Sequence, residues 1–306
     1  MDNNLTLNPP AWSFSQYSAF CQCRRMYFYN KYWQTMSNRW DVYRLKTLTS
    51  IPLLKGEIVH ETIKKSIETV INGSLDKDDA IKYFQRRFRT AYNESEKGYW
   101  KDPKKYGKKL NEMVCLQEHY YSTENPLEKA KEAEQTGIEA LCYLWQSPVW
   151  KRICEADEKD FLVIDPDGFP SFELTIPKTD KSITIYAKID LALKFGNKLR
   201  ILDWKTGKAE GVDILQLAVY GFYANSVWNY EINDLKFYLC FLGGEGEIVS
   251  KDISLPVMKN AYDTILSSFN EMTVLYNCGE PAIENFPKTE KAFYCKSCVY
   301  REICYN

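Results

Sequence analysis

Asp190, Asp203 and Lys205 are the residues of this chain best equipped to do chemistry together. They lie in the run ITIYAKIDLALKFGNKLRILDWKTG, where two alternating apolar segments, Ile183–Phe195 and Leu199–Trp204, flank Gly196-Asn197. That dipeptide favours a two-residue hairpin turn. With Gly196 and Asn197 as the loop, facing residues have numbers summing to 393, so Asp190 stands opposite Asp203, with Cβ atoms roughly 4.5–5.5 Å apart. The period of 2 in a strand puts Lys205 on the face of Asp203 and sends Ile189 and Trp204 to the other side. Facing carboxylates repel unless a divalent cation sits between them. Two acids, an ion and a lysine are the equipment of metal-assisted hydrolysis. The alternatives are ordinary polar residues on a solvated hairpin face, or a register slipped by a bulge.

Positioning such a group requires a sheet and helices to brace it. Beyond the hairpin, strands are expected at Phe161–Ile164, Ser171–Thr175 and Asp234–Leu242, with turn material at Asp165-Pro-Asp-Gly168. Gln216–Trp228 reads as a helix, with Gln216 and Tyr220 four apart on one face and turned toward the hairpin. Pro256–Tyr276 reads as a long helix. Ser13–Tyr32 is expected as one aromatic-rich helix behind Pro9-Pro10, capped by Ser13 or Ser15. Ile51–Ile71 carries the apolar stripe Ile58, Ile63, Ile67, Val70 and Ile71 and closes at Asn72-Gly73. Charged and apolar positions alternate at helical spacing over residues 75–156, implying three or four helices inserted before the sheet. The expected organisation is a single domain over 1–306: N-terminal helices (13–60), a helical insertion (75–156), a sheet core (160–250) and a C-terminal helix with a cysteine tail (256–306).

Composition fits one cytoplasmic globular protein. Hydrophobic residues make up 45% and charged residues 26% of 306 positions, near the average for soluble domains. No cationic-then-apolar leader and no run of about 18 apolar residues argue for export or membrane insertion. A net charge of -1 leaves any phosphate contact to local basic patches. Such patches occur at Arg86, Arg87 and Arg89 and at Lys104, Lys105, Lys108 and Lys109. Tyr92, Tyr99, Trp100 and Tyr106 lie near enough in sequence to stack on unpaired bases. A solvated helix face and loop is the plainer account, and the Lys188 side of the sheet is the other place to look for a strand.

Of the ten cysteines, Cys115, Cys142, Cys154, Cys240 and Cys278 are scattered singly and read as buried or spectator thiols. Cys295, Cys298 and Cys304 are close enough to share a metal, with one position left for a distant partner. Cys23 can fill it if the chain ends meet, Cys21 being the alternative. Four sulfurs suit zinc as well as iron. His60 and His119 are the two histidines; His119 has no chemical context and reads as packing or surface.

The ordered set Asp190, Asp203-Trp-Lys205, Gln216 and Tyr220 resembles the PD-(D/E)XK nuclease superfamily in its RecB-like branch, whose lysine strand leads into a helix carrying Q-x-x-x-Y. Gly56 to His60 is similar to the G-x-x-x-H segment with which that branch adds a metal-binding histidine. The N-terminal Ser13-Phe-Ser15, Cys23, Tyr27 and Tyr29 resemble the opening of AddB-type and CRISPR-associated RecB-type exonucleases, and Cys295, Cys298 and Cys304 their closing C-x2-C-x5-C. Two departures stand out: Arg24 replaces the usual proline after the first cysteine, and Asp203 stands where glutamate is commoner.

The resemblance implies a restriction-endonuclease-like α/β fold, a mixed central sheet flanked by helices with a cysteine-bound cluster joining the two ends. It implies a metal-dependent nuclease, expected to be an exonuclease on single-stranded DNA or DNA ends. Mg²⁺ or Mn²⁺ would be held by His60, Asp190, Asp203 and the Trp204 carbonyl. Lys205, Gln216 and Tyr220 complete the catalytic set, and Cys23, Cys295, Cys298 and Cys304 hold a [4Fe-4S] cluster. DNA, and a helicase or integrase, are the implied partners. The competing expectations are a DNA-end-binding subunit with a vestigial site and a structural zinc protein.

Overall fold

The turn at Gly196-Asn197 forms, and Gly196 takes the φ of 60° that a side chain would resist. The computed structural model describes residues 11–207, 213–277 and 281–304; Pro9-Pro10 and Cys278 lie outside the described residues. The strands are β1 (Trp12–Ser13), β2 (Phe161–Ile164), β3 (Ser171–Thr175), β4 (Ser182–Tyr186), β5 (Leu191–Phe195), β6 (Lys198–Lys205), β7 (Leu235–Phe241) and β8 (Glu247–Lys251). A five-stranded mixed sheet runs β2-β5-β6-β7-β8, parallel only between β6 and β7. A second sheet of three strands runs β1-β4-β3.

The β5–β6 ladder runs from Phe195 opposite Lys198 to Leu191 opposite Leu202, the register the sequence predicts. It stops one step before Asp190 and Asp203. The continuous strand expected over Ile183–Phe195 does not form. The chain leaves the small sheet after Tyr186 and enters the large one at Leu191. Between them its backbone bonds go to the β2–β3 connection: Ala187 N–H donates to the Pro170 carbonyl at 3.0 Å, and the Asp190 carbonyl accepts from Asp165 N–H at 2.6 Å. Apolar alternation is blind to such a change of partner, because the residues keep alternating while the sheet changes.

Helices cover both faces of the large sheet. They are α1 (Phe14–Gln22), α2 (Arg24–Tyr32), α3 (Arg39–Lys46), α4 (Ile51–Ile71), α5 (Lys77–Glu96), α6 (Gln117–Tyr120), α7 (Pro126–Gln146), α8 (Pro148–Cys154), α9 (Ile214–Trp228), α10 (Leu255–Asn277), α11 (Ala292–Lys296) and α12 (Arg301–Cys304). Ser50 caps α4 through its side chain on Leu53 N–H, and Ile58, Ile63 and Ile67 of the predicted stripe are buried. With α5, α7 and α8, this helix packs on Leu191, Leu202, Trp204 and Cys240. The opposite face, with Ala192, Leu199, Ile201, Phe237 and Leu239, packs on α9 and the aromatic N-terminus. The segment read as an insertion thus supplies most of one covering layer. Among the described residues no helix is long and apolar enough to cross a membrane.

The helix expected over Ser13–Tyr32 is two helices. Ser13 caps the first, its Oγ accepting from Gln16 N–H at 3.2 Å. Cys23, extended at φ -162° and ψ 114°, separates α1 from α2. Tyr27, Phe28 and Tyr32 of α2 then pack around Phe286, and Tyr29 against Tyr300. Arg25 Nε donates to the Phe286 carbonyl at 2.7 Å and Tyr300 donates to Asn30 at 2.6 Å. The two ends of the described chain therefore share one aromatic core.

Candidate active site and cysteine pocket

The period of 2 in β6 decides which side chains enter the site. Asp203 and Lys205 project toward α9, while Trp204 buries its ring among α4, α5 and α7 and keeps its backbone available. On α9, Gln216 and Tyr220 reach the two strand residues. Tyr220 donates to Asp203 Oδ1 at 2.9 Å, Gln216 Nε2 donates to the Tyr220 oxygen at 2.8 Å, and Lys205 Nζ donates to Gln216 Oε1 at 3.1 Å. Lys205 Nζ also lies 2.6 Å from Asp203 Oδ2, closing a ring of four side chains. Beyond this ion pair Oδ2 has no further hydrogen-bond partner, so its one neighbour is the lysine.

Asp190 and His60 complete the group. Asp190 Oδ2 accepts from Trp204 N–H at 2.8 Å, and its Oδ1 lies 3.4 Å from His60 Nδ1. The other ring nitrogen, His60 Nε2, is 3.0 Å from the Trp204 carbonyl. Gly56 explains how α4 brings His60 this close: a Cβ there would stand 3.0 Å from Thr206 Oγ1, just beyond Lys205. His60 thus touches both Asp190 and the Trp204 carbonyl, and Asp203 is near enough for its charge to act on the imidazole.

Electrostatics at this spot are tense without a cation. Burial raises the Asp203 pKa, and the Asp190 charge raises it further against the pull of Lys205 and Tyr220. Burial, then the Asp203 and Asp190 charges, push the Tyr220 phenol well above its usual range, so it stays a donor. Burial alone would lower the His60 pKa; the Asp190 charge and contact, with Asp203 and Asp165, hold it above its ordinary value. Two buried carboxylates, one raising the pKa of the other, are what a divalent ion would relieve. The separation of about 3 Å between His60 Nε2 and the Trp204 carbonyl is also that of neighbouring ligands on an ion with bonds of about 2.1 Å. Among the described residues, no three His, Cys, Asp or Glu side chains are grouped closely enough to hold a metal ion.

Sequence reasoning missed Asp165. It was read as turn material, and it does occupy a left-handed turn conformation at φ 34°. Yet its N–H donates to the Asp190 carbonyl, its charge acts on His60, and its Oδ1 lies 2.7 Å from Lys188 Nζ. The Asp-Pro-Asp-Gly signature gave no hint of this placement.

Cys23, Cys295, Cys298 and Cys304 line one small cavity of about 30 Å³. Cys21 does not line it; it faces a separate cavity with Tyr17 and Phe20. Burial raises the Cys298 pKa, opposed by a hydrogen bond from Tyr300 N–H and reinforced by Cys23, Cys304 and Cys295. Cys304 is likewise raised by burial and by Cys23 and Cys295, with Lys288 and Arg25 pulling the other way. The four cysteines thus border one cavity, although among the described residues no three His, Cys, Asp or Glu side chains are grouped closely enough to hold a metal ion.

The basic candidates are brought to the surface of α5 and the following loop, and several are occupied. Arg87 pairs with Glu61 at 3.4 Å, Arg89 with Glu134 at 2.5 Å and Lys108 with Glu94 at 3.6 Å. Arg86, Lys104, Lys105 and Lys109 are exposed. Tyr92 and Trp100, offered as stacking residues, are buried, and Tyr99 stacks on Tyr106 instead. His119 is a packing residue, edge-on to Tyr92 and bonded to Ser95 Oγ at 2.9 Å.

Comparison with known proteins bears on this geometry. A family model described as the PD-(D/E)XK nuclease superfamily matches residues 11–305. The chain belongs to the PD-(D/E)XK nuclease superfamily. The match spans the hairpin acids, the lysine, α4 with its histidine and the cysteine tail. Among solved structures, one described as "Crystal structure of SSO0001" is similar at 13% identity and a TM-score of 0.29, covering 58% of this chain and 79% of that one. Among curated proteins, none matches the chain significantly. Membership in this nuclease superfamily fits a mixed sheet flanked by helices, with an acid and a lysine at the end of its central strand and a second acid just before the strand beside it.

Proposed function

We propose that the chain is a Mg²⁺- or Mn²⁺-dependent deoxyribonuclease of the RecB-like branch, acting as an exonuclease on single-stranded DNA or DNA ends. The observation that carries the proposal is the closed ring of Lys205, Gln216, Tyr220 and Asp203 beside His60 and Asp190. His60, Asp190, Asp203 and the Trp204 carbonyl would hold the ion. When bound, it activates a water and neutralises charge developing on the phosphate.

The remaining work belongs to the protein. Lys205, fixed between Gln216 and Asp203, presents its ammonium to the attacking water or to the charge growing on the phosphoryl oxygens. Tyr220 holds one Asp203 oxygen and Lys205 pairs with the other, Oδ2, which would turn from the lysine to the ion. Gln216 bridges tyrosine and lysine, so the two cannot drift independently. Trp204 N–H fixes the Asp190 carboxylate, and Gly56 admits the helix that carries His60. In-line attack on phosphorus then leaves a 5′-phosphate and a 3′-hydroxyl. The exonuclease preference rests on the resemblance of the chain ends to AddB-type and CRISPR-associated RecB-type enzymes. Incubating purified protein with end-labelled single-stranded and duplex DNA, with Mg²⁺, Mn²⁺ or EDTA, tests the proposal. Metal-dependent release of 5′-phosphorylated products supports it, and inert protein under every metal rejects it.

We infer in addition that Cys23, Cys295, Cys298 and Cys304 bind a [4Fe-4S] cluster. The common cavity, the Tyr300 N–H to the Cys298 sulfur, and Lys288 and Arg25 beside Cys304 all suit an anionic, sulfur-ligated centre. Protein purified without oxygen should be brown with about four irons per chain; colourless protein with one zinc rejects the cluster.

A further inference from the structure

A cleft of about 570 Å³ opens where the small sheet meets α1, and Ser13, Ser15, Phe169, Tyr186 and Lys188 line it. Phe169 is 80% exposed, far more than a ring with a packing role would be. Tyr186 stands edge-on to it, with ring centroids 6.5 Å apart. Exposed aromatic rings beside a cation are the usual platform for unpaired bases, since every base has a stackable face.

The cleft is joined to the candidate active site through the chain from Tyr186 to Asp190. Exposure alternates from Ile183 to Ile189, with Tyr186 and Lys188 outward and Ile185, Ala187 and Ile189 inward. Asp190 is two residues beyond Lys188. At the extended rise of about 3.3 Å per residue, Tyr186 lies about 13 Å from Asp190 along the chain. Asp165 links the two ends, through its contact with Lys188 at 2.7 Å and its N–H on the Asp190 carbonyl.

We propose that this cleft binds the unpaired strand of a single-stranded DNA substrate, with bases on Phe169 and Tyr186 and the backbone against Ser13, Ser15 and Lys188, whose ammonium turns from Asp165 to a phosphate when the strand enters. The inference rests on the nuclease reading for the link to the site, and deepens it by naming the substrate form. A duplex keeps its bases stacked inside, so the two rings can engage it only at frayed ends. Tyr186 is held in β4 by its pairing with Ser171, and the carbonyl of Pro170, next to Phe169, accepts from Ala187 N–H.

The test measures binding in a Lys205→Ala background, which removes cleavage, by anisotropy of fluorescent oligo(dT), a blunt duplex and oligo(rU). Phe169→Ala and Tyr186→Ala should each weaken oligo(dT) about tenfold, the loss of one stacked base, and leave the duplex within about twofold. Phe169→Trp should retain oligo(dT) binding. Unchanged oligo(dT) affinity in both alanine variants overturns the proposal, as does an equal loss on the duplex or a loss confined to oligo(rU). Cleavage by the wild-type chain is measured separately. Inert protein with ring-dependent binding removes the nuclease reading and leaves the cleft; active protein with ring-independent binding removes the cleft alone.

Discussion

The hairpin site and the cysteine pocket both gather metal-binding groups, yet the protein holds them in different ways. At the hairpin, Trp204 N–H, Tyr220, Gln216 and Lys205 hold the two carboxylates through named bonds. At the cysteine pocket, the surroundings are held by the aromatic core of α2, Phe286 and Tyr300, while burial, helped by the neighbouring sulfurs, raises the pKa of Cys298 and Cys304. A site that must exchange ions and substrate has to be assembled before they arrive. A structural centre can let its metal complete the assembly, because metal binding and folding are then one event. Removing a group should therefore stop chemistry at the first place and loosen structure at the second.

The largest expected effect breaks the catalytic half. Asp190→Ala, Asp203→Ala and Lys205→Ala should each lower metal-dependent cleavage by about a thousandfold, measured by single-turnover kinetics, with folding preserved by circular dichroism. Activity within tenfold of wild type in the Asp203 and Lys205 variants would move the site elsewhere.

The next effect concerns the ends. Cys298→Ser should cost about 2–5 kcal/mol, as loss of a cross-link between distant segments does, read from urea unfolding without oxygen. The control is Cys21→Ser, because Cys21 is exposed and apart from the pocket; it should stay within about 0.5 kcal/mol of wild type. Cys240, a natural comparator by spacing alone, is fully buried in the sheet, so its serine variant carries a burial cost of its own. Equal stability of the Cys298 and Cys21 variants would make the pocket incidental.

A finer effect separates holding a group from being one. Tyr220→Phe deletes the donor to Asp203 Oδ1 and leaves the packing of α9, so cleavage should fall about tenfold to a hundredfold. DNA affinity, measured in EDTA, should be unchanged. A loss of affinity with normal turnover would make Tyr220 a substrate contact instead.

The smallest effect is on stability without metal. Burial and Asp190 raise the Asp203 pKa in the folded chain, so its ionisation opposes folding. That penalty is absent below the ordinary carboxylate range and grows as pH rises through it toward the folded value. Asp203→Asn should therefore stabilise the metal-free protein by about 1 kcal/mol at neutral pH, with the gain vanishing near pH 4. A variant less stable than wild type at pH 7 would show that Asp203 is anchored more than it is strained.

How much of this was legible in the sequence follows from the range of the forces involved. The hairpin register, α4 with its stripe, and the facing of Gln216 and Tyr220 toward the strand are local consequences of period and turn type, and they were readable. The parallel pairing of β6 with β7 has no local signature. Neither has the break at Ala187–Asp190, where backbone partners come from a distant turn, nor the placement of Asp165 beside His60. Tyr92 and Trp100 look like surface aromatics because their neighbours are charged, but α5 turns Tyr92 into the core and the 3-10 turn at Tyr99–Lys101 buries Trp100. The break at Cys23 follows the same logic, since Arg25 N–H donates to the Pro287 carbonyl at 3.2 Å.

Calorimetric titration of Mn²⁺ tests most directly the claim that the hairpin is assembled to receive a divalent ion. The wild-type chain should bind one or two ions, Asp203→Asn should lose that binding, and Cys298→Ser, if folded, should retain it. Wild-type protein that binds no Mn²⁺, or an Asp203→Asn variant that binds it equally well, would contradict the account.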